Sequence, residues 1–446
     1  MAPMKVALVH VIGPVLLIHS LFGRAFAEDR EATKSAGYID AGVGVVDITP
    51  TDPVVLAGSP TRVMSSSVRT RLYVRALVLA AGQQKVAIVT LDTLKYTVEH
   101  VVRACRQVEQ TTGIPSSKIV ICASHTHSGP LWSYYDDQLV TPIAEAVAIA
   151  VRDLTPCKLG ASKGKVDGVS ECRRVIKDGT AWNRWQLAPS ERDRYPAEGP
   201  SDPEFDLLAV TGKDGRFKAV VYNFACHASN TRASILSADY PGDVEAYVQK
   251  HVGYELPTLF LTGACGDVNP NYRLEREVFG EKLGGELVRC LGRLEPIARP
   301  ALSIERKEEA MPGRENPQLE QEDIALKWPA QLEHYKKAFD NMKKREATAF
   351  RYFFTGIRVG DDFAIVTNPN ELFCGIGMSI KRQSPFKHTM VVEQTNGAHG
   401  YVPTVKAFEG GGYETWFGEH SYLTTRAGEM IEKESLDILN HLRQAE

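Results

Sequence analysis

Three features of the sequence predict a single large α/β domain with a mixed β-sheet core flanked by helices. Strand-like and helix-like segments alternate from about residue 40 to 440, two hairpins interrupt the alternation, and no repeat or low-complexity linker divides it. Such alternation predicts helices packed on a mixed sheet. The length of 446 residues, with 43% hydrophobic and 24% charged residues, suits a soluble globular protein with a sizeable core.

The elements follow in order. Val86 to Leu91 is a buried strand, and Val98 to Gln110 an amphipathic helix closed by Gly113. Lys118 to Ala123 is the next strand, and Leu139 to Leu154 a long apolar-faced helix. Asp206 to Thr211 and Phe217 to Ala225 flank Lys213-Asp214-Gly215 as a hairpin. Asp243 to Val252 reads as a helix, Thr258 to Leu261 as a strand and Glu275 to Leu294 as a helix. Glu315 to Lys344 is charged, helix-forming and poor in large apolar residues, which predicts a surface helical excursion. Arg351 to Val366 forms a second hairpin around Gly360-Asp361-Asp362. Glu371 to Arg382 is a helix, Met390 to Gln394 a strand and Thr424 to Arg443 the closing helix.

The N-terminus reads differently. Lys5 precedes an apolar run from Val6 to Phe22, and Ala25-Phe26-Ala27 follows as a small-x-small cleavage pattern. That is the layout of a secretory signal peptide over residues 1–27, and His10, Pro14 and His19 break the run too often for a membrane anchor. The mature protein is expected outside the cytoplasm, secreted or periplasmic, without an integral membrane span. A net charge of −3 predicts no nucleic-acid partner. The eight cysteines include no CxxC pair, and Cys122, Cys226 and Cys265 lie in apolar runs where buried free thiols are common.

The chemistry is concentrated at strand ends. The strand through Ile121 runs into Ser124-His125-Thr126-His127-Ser128-Gly129-Pro130. In extended chain, residues two apart point to one side, so both imidazoles can face one cavity just past a strand's carboxyl end. The alternative is two surface histidines in a turn. The punctuation recurs: Val220 to Cys226 ends on His227, Phe363 to Val366 leads through Asn368-Pro369-Asn370 to Glu371, and Met390 to Gln394 leads to Asn396-Gly-Ala-His399. Imidazoles and a carboxylate drawn from separate strand ends are the ligands zinc prefers. Glu371 at a helix start also suits the helix dipole, and His399 is a reserve ligand or a loop histidine.

Taken together, these motifs resemble the neutral/alkaline, non-lysosomal ceramidase family. The likeness is carried by Gly42-Val-Gly-Val-Val-Asp47-Ile-Thr-Pro50, Arg71-Leu-Tyr-Val-Arg75-Ala, Ser124 to Pro130, Asn223-Phe-Ala-Cys-His227 and Ala238-Asp-Tyr-Pro-Gly242. It continues through Gly263-Ala-Cys-Gly-Asp-Val-Asn-Pro270, Pro369-Asn-Glu371 and Gly400-Tyr401, with Tyr413-Glu414 twelve residues further on. The resemblance implies a zinc hydrolase domain over 36–446, with Zn2+ held by His125, His227, Glu371 and Tyr401. It places His127 beside the scissile carbonyl and Tyr413 as the phenol that helps polarise it. The family's arginine maps to Arg173, with Arg174 as the rival. Glu371 doubles as proton shuttle, while Asp239 and Asp267 are expected either to orient the histidines or to form turns.

The sequence also departs from the family. Asn269 stands where the family has a serine, which excludes a serine nucleophile at that position. With the sequence read to Glu446, the C-terminal immunoglobulin-like domain of typical ceramidases is not expected. The implied reaction is hydrolysis of the N-acyl bond of a ceramide-like sphingolipid, or of another small lipid-like N-acyl substrate. The alternatives are another amide, ester or glycan-linked substrate on the same zinc scaffold, and a non-catalytic secreted binding protein with a vestigial metal site. HExxH, GxSxG and P-loop motifs are absent. Gly410-Gly411-Gly412 reads as a loop.

Overall fold

The computed structural model describes residues 37–58, 62–231, 234–344 and 349–445. The signal segment expected over 1–27 lies outside them.

The sheet core consists of two sheets. The larger contains β1 (Ile39–Asp47), β2 (Tyr73–Ala81), β3 (Gln84–Leu91), β4 (Ile119–Ala123), β5 (Thr155–Lys165), β6 (Glu204–Gly212), β7 (Phe217–Phe224) and β8 (Thr258–Thr262). Their spatial order is β8-β7-β6-β5-β1-β2-β3-β4, with Glu295–Pro296 also paired to β5. The interior pairings are antiparallel, whereas the two outermost pairs, β3–β4 and β7–β8, are parallel. The smaller sheet runs β9 (Leu302–Pro312), β10 (Ala349–Val359), β11 (Phe363–Thr367) and β12 (His388–Val392), its last pair parallel.

Strand periodicity fixes the layering. Leu77, Leu79, Val86 and Ile88 of the larger sheet share one apolar core with Ile357, Phe363, Ile365 and Met390 of the smaller, so the sheets pack face to face. The alternate residues Val74, Val78 and Val89 turn to the other side. There they meet Val101 and Val108 of α1 (Val98–Thr112) and Ile143 and Val147 of α2 (Val140–Arg152). Further along the same face, Leu207 and Tyr222 pack on α3 (Tyr240–Val252) and α4 (Arg276–Leu291). Phe354 and Val366 of the smaller sheet pack on α5 (Cys374–Gln383) and α6 (Ala427–Gln444). The result is a four-layer stack of helices, sheet, sheet and helices. Strands buried on both faces read as continuous apolar runs, and each buried Val, Leu or Ile contributes about 1.5–3 kcal/mol.

The α/β class and the mixed sheet stand as expected, and so do both hairpins. Three expectations change. The helix expected from Glu371 starts at Cys374, because Glu371–Leu372 instead forms a short parallel pair with Tyr401–Val402. Glu371 therefore owes nothing to a helix dipole. The charged excursion is two helices, Gln321–Lys327 and Leu332–Lys344, separated at Trp328-Pro329, where proline disfavours continuation. It is also not purely a surface feature: Ile324 and Tyr335 are buried against Trp416. Finally, β9 escaped the sequence pattern because it is an edge strand carrying Lys307, Glu308 and Glu309, charges that protect an open edge. All eight cysteines are unpaired and buried.

Candidate metal centre

Three strands of two sheets deliver the site. β4 ends at Ala123 just before His125, β7 at Phe224 before His227, and β11 at Thr367 before Glu371. Each strand belongs to one of the parallel pairs, where carboxyl ends leave a crevice for ligands. His125 and His127 do converge, with ring centroids 5.0 Å apart, but not by extended alternation. His125 has φ of +59°, a left-handed conformation uncommon for a residue with a side chain. The turn, rather than a strand pleat, brings the rings together. Gly58 packs so closely on His127 that an added Cβ would stand 2.4 Å from Nδ1.

The tautomers follow from the partners. His125 Nδ1 is 2.8 Å from the Leu94 carbonyl, and His227 Nδ1 is 2.8 and 3.0 Å from the carbonyls of Cys265 and Val268. A carbonyl only accepts, so both Nδ1 atoms carry the proton and both Nε2 atoms present lone pairs. Glu371 Oε2 stands 3.4 Å from each of those Nε2 atoms. Neither His125 Nε2 nor Glu371 Oε2 has a hydrogen-bond partner, and both are buried. Burial, and next the Arg173 charge, pull the His227 imidazole down to about 4, so it is neutral at neutral pH. Burial raises the Glu371 carboxyl, but the two imidazoles facing it, His125 first and then His227, outweigh this and hold it well below the usual range. The free lone pair of His125 Nε2 and the unpartnered Glu371 oxygen thus face each other, beside a His227 Nε2 whose lone pair is shared with Arg173 Nη1 at 3.2 Å, an arrangement that a cation relieves.

The spacing fits that cation. Ligand atoms about 2.0–2.2 Å from a tetrahedral metal stand roughly 3.3–3.6 Å apart. His127 adds a third imidazole, and ligand nitrogens of the three histidines all lie within 4.8 Å of one another. Its Nε2 is buried and unpartnered. Burial, followed by the charges of His125 and His227, pulls its pKa well below the ordinary value, so the ring is neutral and offers one N–H. The histidine cluster could therefore hold a metal ion.

Tyr401 is paired in register with Glu371, and its ring centroid is 5.5 Å from that of Tyr413. Burial and then the Glu371 charge push both phenols up, Tyr413 to about 12, so both keep their protons at neutral pH. Arg173 and Arg174 separate sharply. Arg173 Nη1 lies 3.2 Å from His227 Nε2 and 3.2 Å from Asn269 Oδ1, while its Nε donates to Glu414 at 2.8 Å. Arg174 turns away to Glu198, to the Gly411 carbonyl at 2.9 Å and to the other Glu414 oxygen at 2.6 Å.

Two further expectations are corrected. His399 has both nitrogens occupied, Nδ1 by the Tyr422 hydroxyl at 2.7 Å and Nε2 by the Arg351 carbonyl at 2.8 Å, so it has no lone pair to give a metal. Asp239 and Asp267 do not orient the histidines. Asp239 accepts backbone N–H groups of Asn230, Thr231 and Tyr240, and Asp267 accepts that of Cys374. Backbone carbonyls hold the imidazoles instead. The sequence reading assigns Glu414, the shared carboxylate of both arginines, no role beyond its place in the Tyr413-Glu414 motif. It also missed Glu393, whose available signal was an acid at the end of an apolar strand.

No protein-family model matches the chain. Among solved structures, the chain is similar to neutral ceramidase from Pseudomonas aeruginosa, with a TM-score of 0.70 and 16% identity over 92% of this chain and 75% of that one. It is equally similar to a ceramidase complexed with C2, with a TM-score of 0.70 and 15% identity over 92% and 76% of the two chains. The chain has a neutral ceramidase-like fold.

Proposed function

We propose that this protein is a secreted zinc-dependent amidohydrolase that cleaves the N-acyl bond of a ceramide-like sphingolipid, releasing a sphingoid base and a fatty acid. The observation that carries this is the meeting of His125 Nε2, His227 Nε2 and Glu371 Oε2 at 3.4 Å contacts inside a ceramidase-like fold. His125, His227, Glu371 and Tyr401 hold the zinc. Once bound, the zinc supplies Lewis acidity that activates water at neutral pH.

The remaining residues act on the substrate. His127 and Tyr413 donate hydrogen bonds to the carbonyl oxygen as negative charge develops there, donors worth about 10²–10³ in turnover each. Arg173, fixed by Glu414 and Asn269, adds a buried positive charge beside His227. Glu371 carries a proton to the departing amine. Asn269 serves Arg173, and no nucleophilic side chain is needed at its position. An apolar chain has a surface to lie on: Trp185 is 39% exposed, with its ring 4.8 Å from Trp328 and 5.9 Å from Tyr413. Among the described residues no helix is long and apolar enough to cross a membrane, and the N-terminal signal directs the domain over 36–446 out of the cytoplasm.

A substrate screen with metal analysis on one sample tests this. Hydrolysis of a fluorescent long-chain ceramide by protein holding one zinc per chain is the expected result. Cleavage of short N-acyl amides or esters, but never of ceramide, would refute the lipid substrate while leaving the chemistry intact. Protein without stoichiometric zinc would refute the metal.

A further inference from the structure

Beyond the ligands, one buried acid stands out. Glu393 follows β12 and has 0% exposure. Among the described residues no Lys, Arg or His forms an ion pair with it, and a buried carboxyl without a cation is costly unless its oxygens are hydrogen-bonded. They are. Oε2 accepts the Leu372 N–H at 2.7 Å and the Cys265 N–H at 3.1 Å, and Oε1 lies 3.0 Å from Cys265 Sγ.

Both bonded amides belong to the metal centre's supports. Leu372 directly follows Glu371. Cys265 supplies the carbonyl that accepts His227 Nδ1–H and so sets that ring's tautomer. The main chain around Glu393 extends the link to the third strand end. Its N–H donates to the Thr262 carbonyl at 2.9 Å, at the end of β8, and the next carbonyl, that of Gln394, accepts Ala123 N–H at 3.0 Å, at the end of β4 and two residues before His125. The two edge strands of the larger sheet and the end of the smaller one therefore meet at two adjacent residues, Glu393 and Gln394.

We propose that Glu393 is a positioning residue of the metal centre, its carboxyl clamping the segment that bears Glu371 to the segment that orients His227. This rests on the metal-site reading above. Holding an imidazole and a carboxylate in place before the metal arrives raises affinity, and loss of such a support typically costs about 10–100-fold in metal affinity. Because one oxygen accepts both N–H groups, the amide oxygen of glutamine can replace it. Leucine, of similar length, cannot.

The test compares full-length wild type, Glu393→Gln and Glu393→Leu by zinc competition against a chelator and by amide exchange in metal-free protein. Glu393→Gln is expected to match wild type in both. Glu393→Leu is expected to bind zinc about 10–100-fold more weakly. Its exchange should quicken about tenfold, the equivalent of one lost hydrogen bond, in peptides covering 262–268 and 369–374 but not in α3 or β2. Unchanged affinity or unchanged exchange in Glu393→Leu would overturn the proposal. So would a Glu393→Gln as weak as the leucine variant, or exchange raised equally in α3 and β2, which would mark general loosening. Wild type that binds no zinc would overturn the hydrolase reading instead, and exchange in the two segments would still decide whether Glu393 clamps them.

Discussion

Two loops leave apolar strands and carry a histidine close to a glycine: Ser124 to Gly129 after β4, and Asn396 to Gly400 after β12. In sequence they look alike, yet their imidazoles live differently. His125 gives Nδ1–H to the Leu94 carbonyl and leaves a buried Nε2 without a partner. His399 lies nearly parallel to Tyr352, 12° between planes, and both its nitrogens are engaged. Burial is similar, 3% and 8% exposed. What separates the proposed ligand from a structural histidine here is an unspent lone pair aimed at a carboxylate.

The sharpest way to break that contrast is to remove each ring. His125→Ala is expected to lose zinc and bring hydrolysis down to background, as read by metal analysis and turnover; retention of both would erase the distinction. His127→Ala comes next. It should lower kcat by about 10²–10³-fold with zinc content intact. Loss of zinc in that variant would make His127 a ligand alongside the other two imidazoles.

Glu414→Gln tests the charged flank rather than the imidazoles. Breaking a buried pair leaves uncompensated charge, here on Arg173, whereas Arg174 keeps Glu198, and costs about 3–5 kcal/mol, visible as a lower Tm. Burial opposes ionisation of Glu414, but the two arginines prevail and hold it at about 2, below its ordinary 4.5. A carboxyl depressed on folding stabilises at pH above its unfolded value and loses that contribution as pH falls through its folded value. Wild type should therefore lose stability between about pH 4.5 and 2 more steeply than Glu414→Gln; equal acid profiles would show that Glu414 is not ionised in the fold. The smallest effect belongs to His399→Ala. Loss of its hydrogen bonds should cost about 1–3 kcal/mol in thermal unfolding, with zinc content unchanged.

Much of this was legible in the sequence because strand ends are legible. Apolar runs that stop shortly before His125, His227 and Glu371 mark the crevice in the sequence itself. The turn geometry was less accessible. Nothing in Ser-His-Thr-His announces a left-handed His125, and nothing in Asn-Pro-Asn-Glu-Leu announces that Glu371 pairs with Tyr401 instead of starting a helix. Such outcomes depend on partners 30 residues away in the chain. The holders of the imidazoles were invisible for another reason: every residue has a carbonyl, so Leu94, Cys265 and Val268 carry no signal as acceptors. Arg173 and Arg174 could not be told apart by spacing either. Their opposite directions follow from neighbouring main-chain positions presenting side chains to opposite sides, one to His227 and one to Glu198.

Zinc stoichiometry by elemental analysis on wild type, His125→Ala and His399→Ala, purified identically, tests the central claim most directly. One zinc per chain in wild type and His399→Ala, with none in His125→Ala, is the expected result. Zinc absent from wild type, or retained in His125→Ala and lost from His399→Ala, would contradict it.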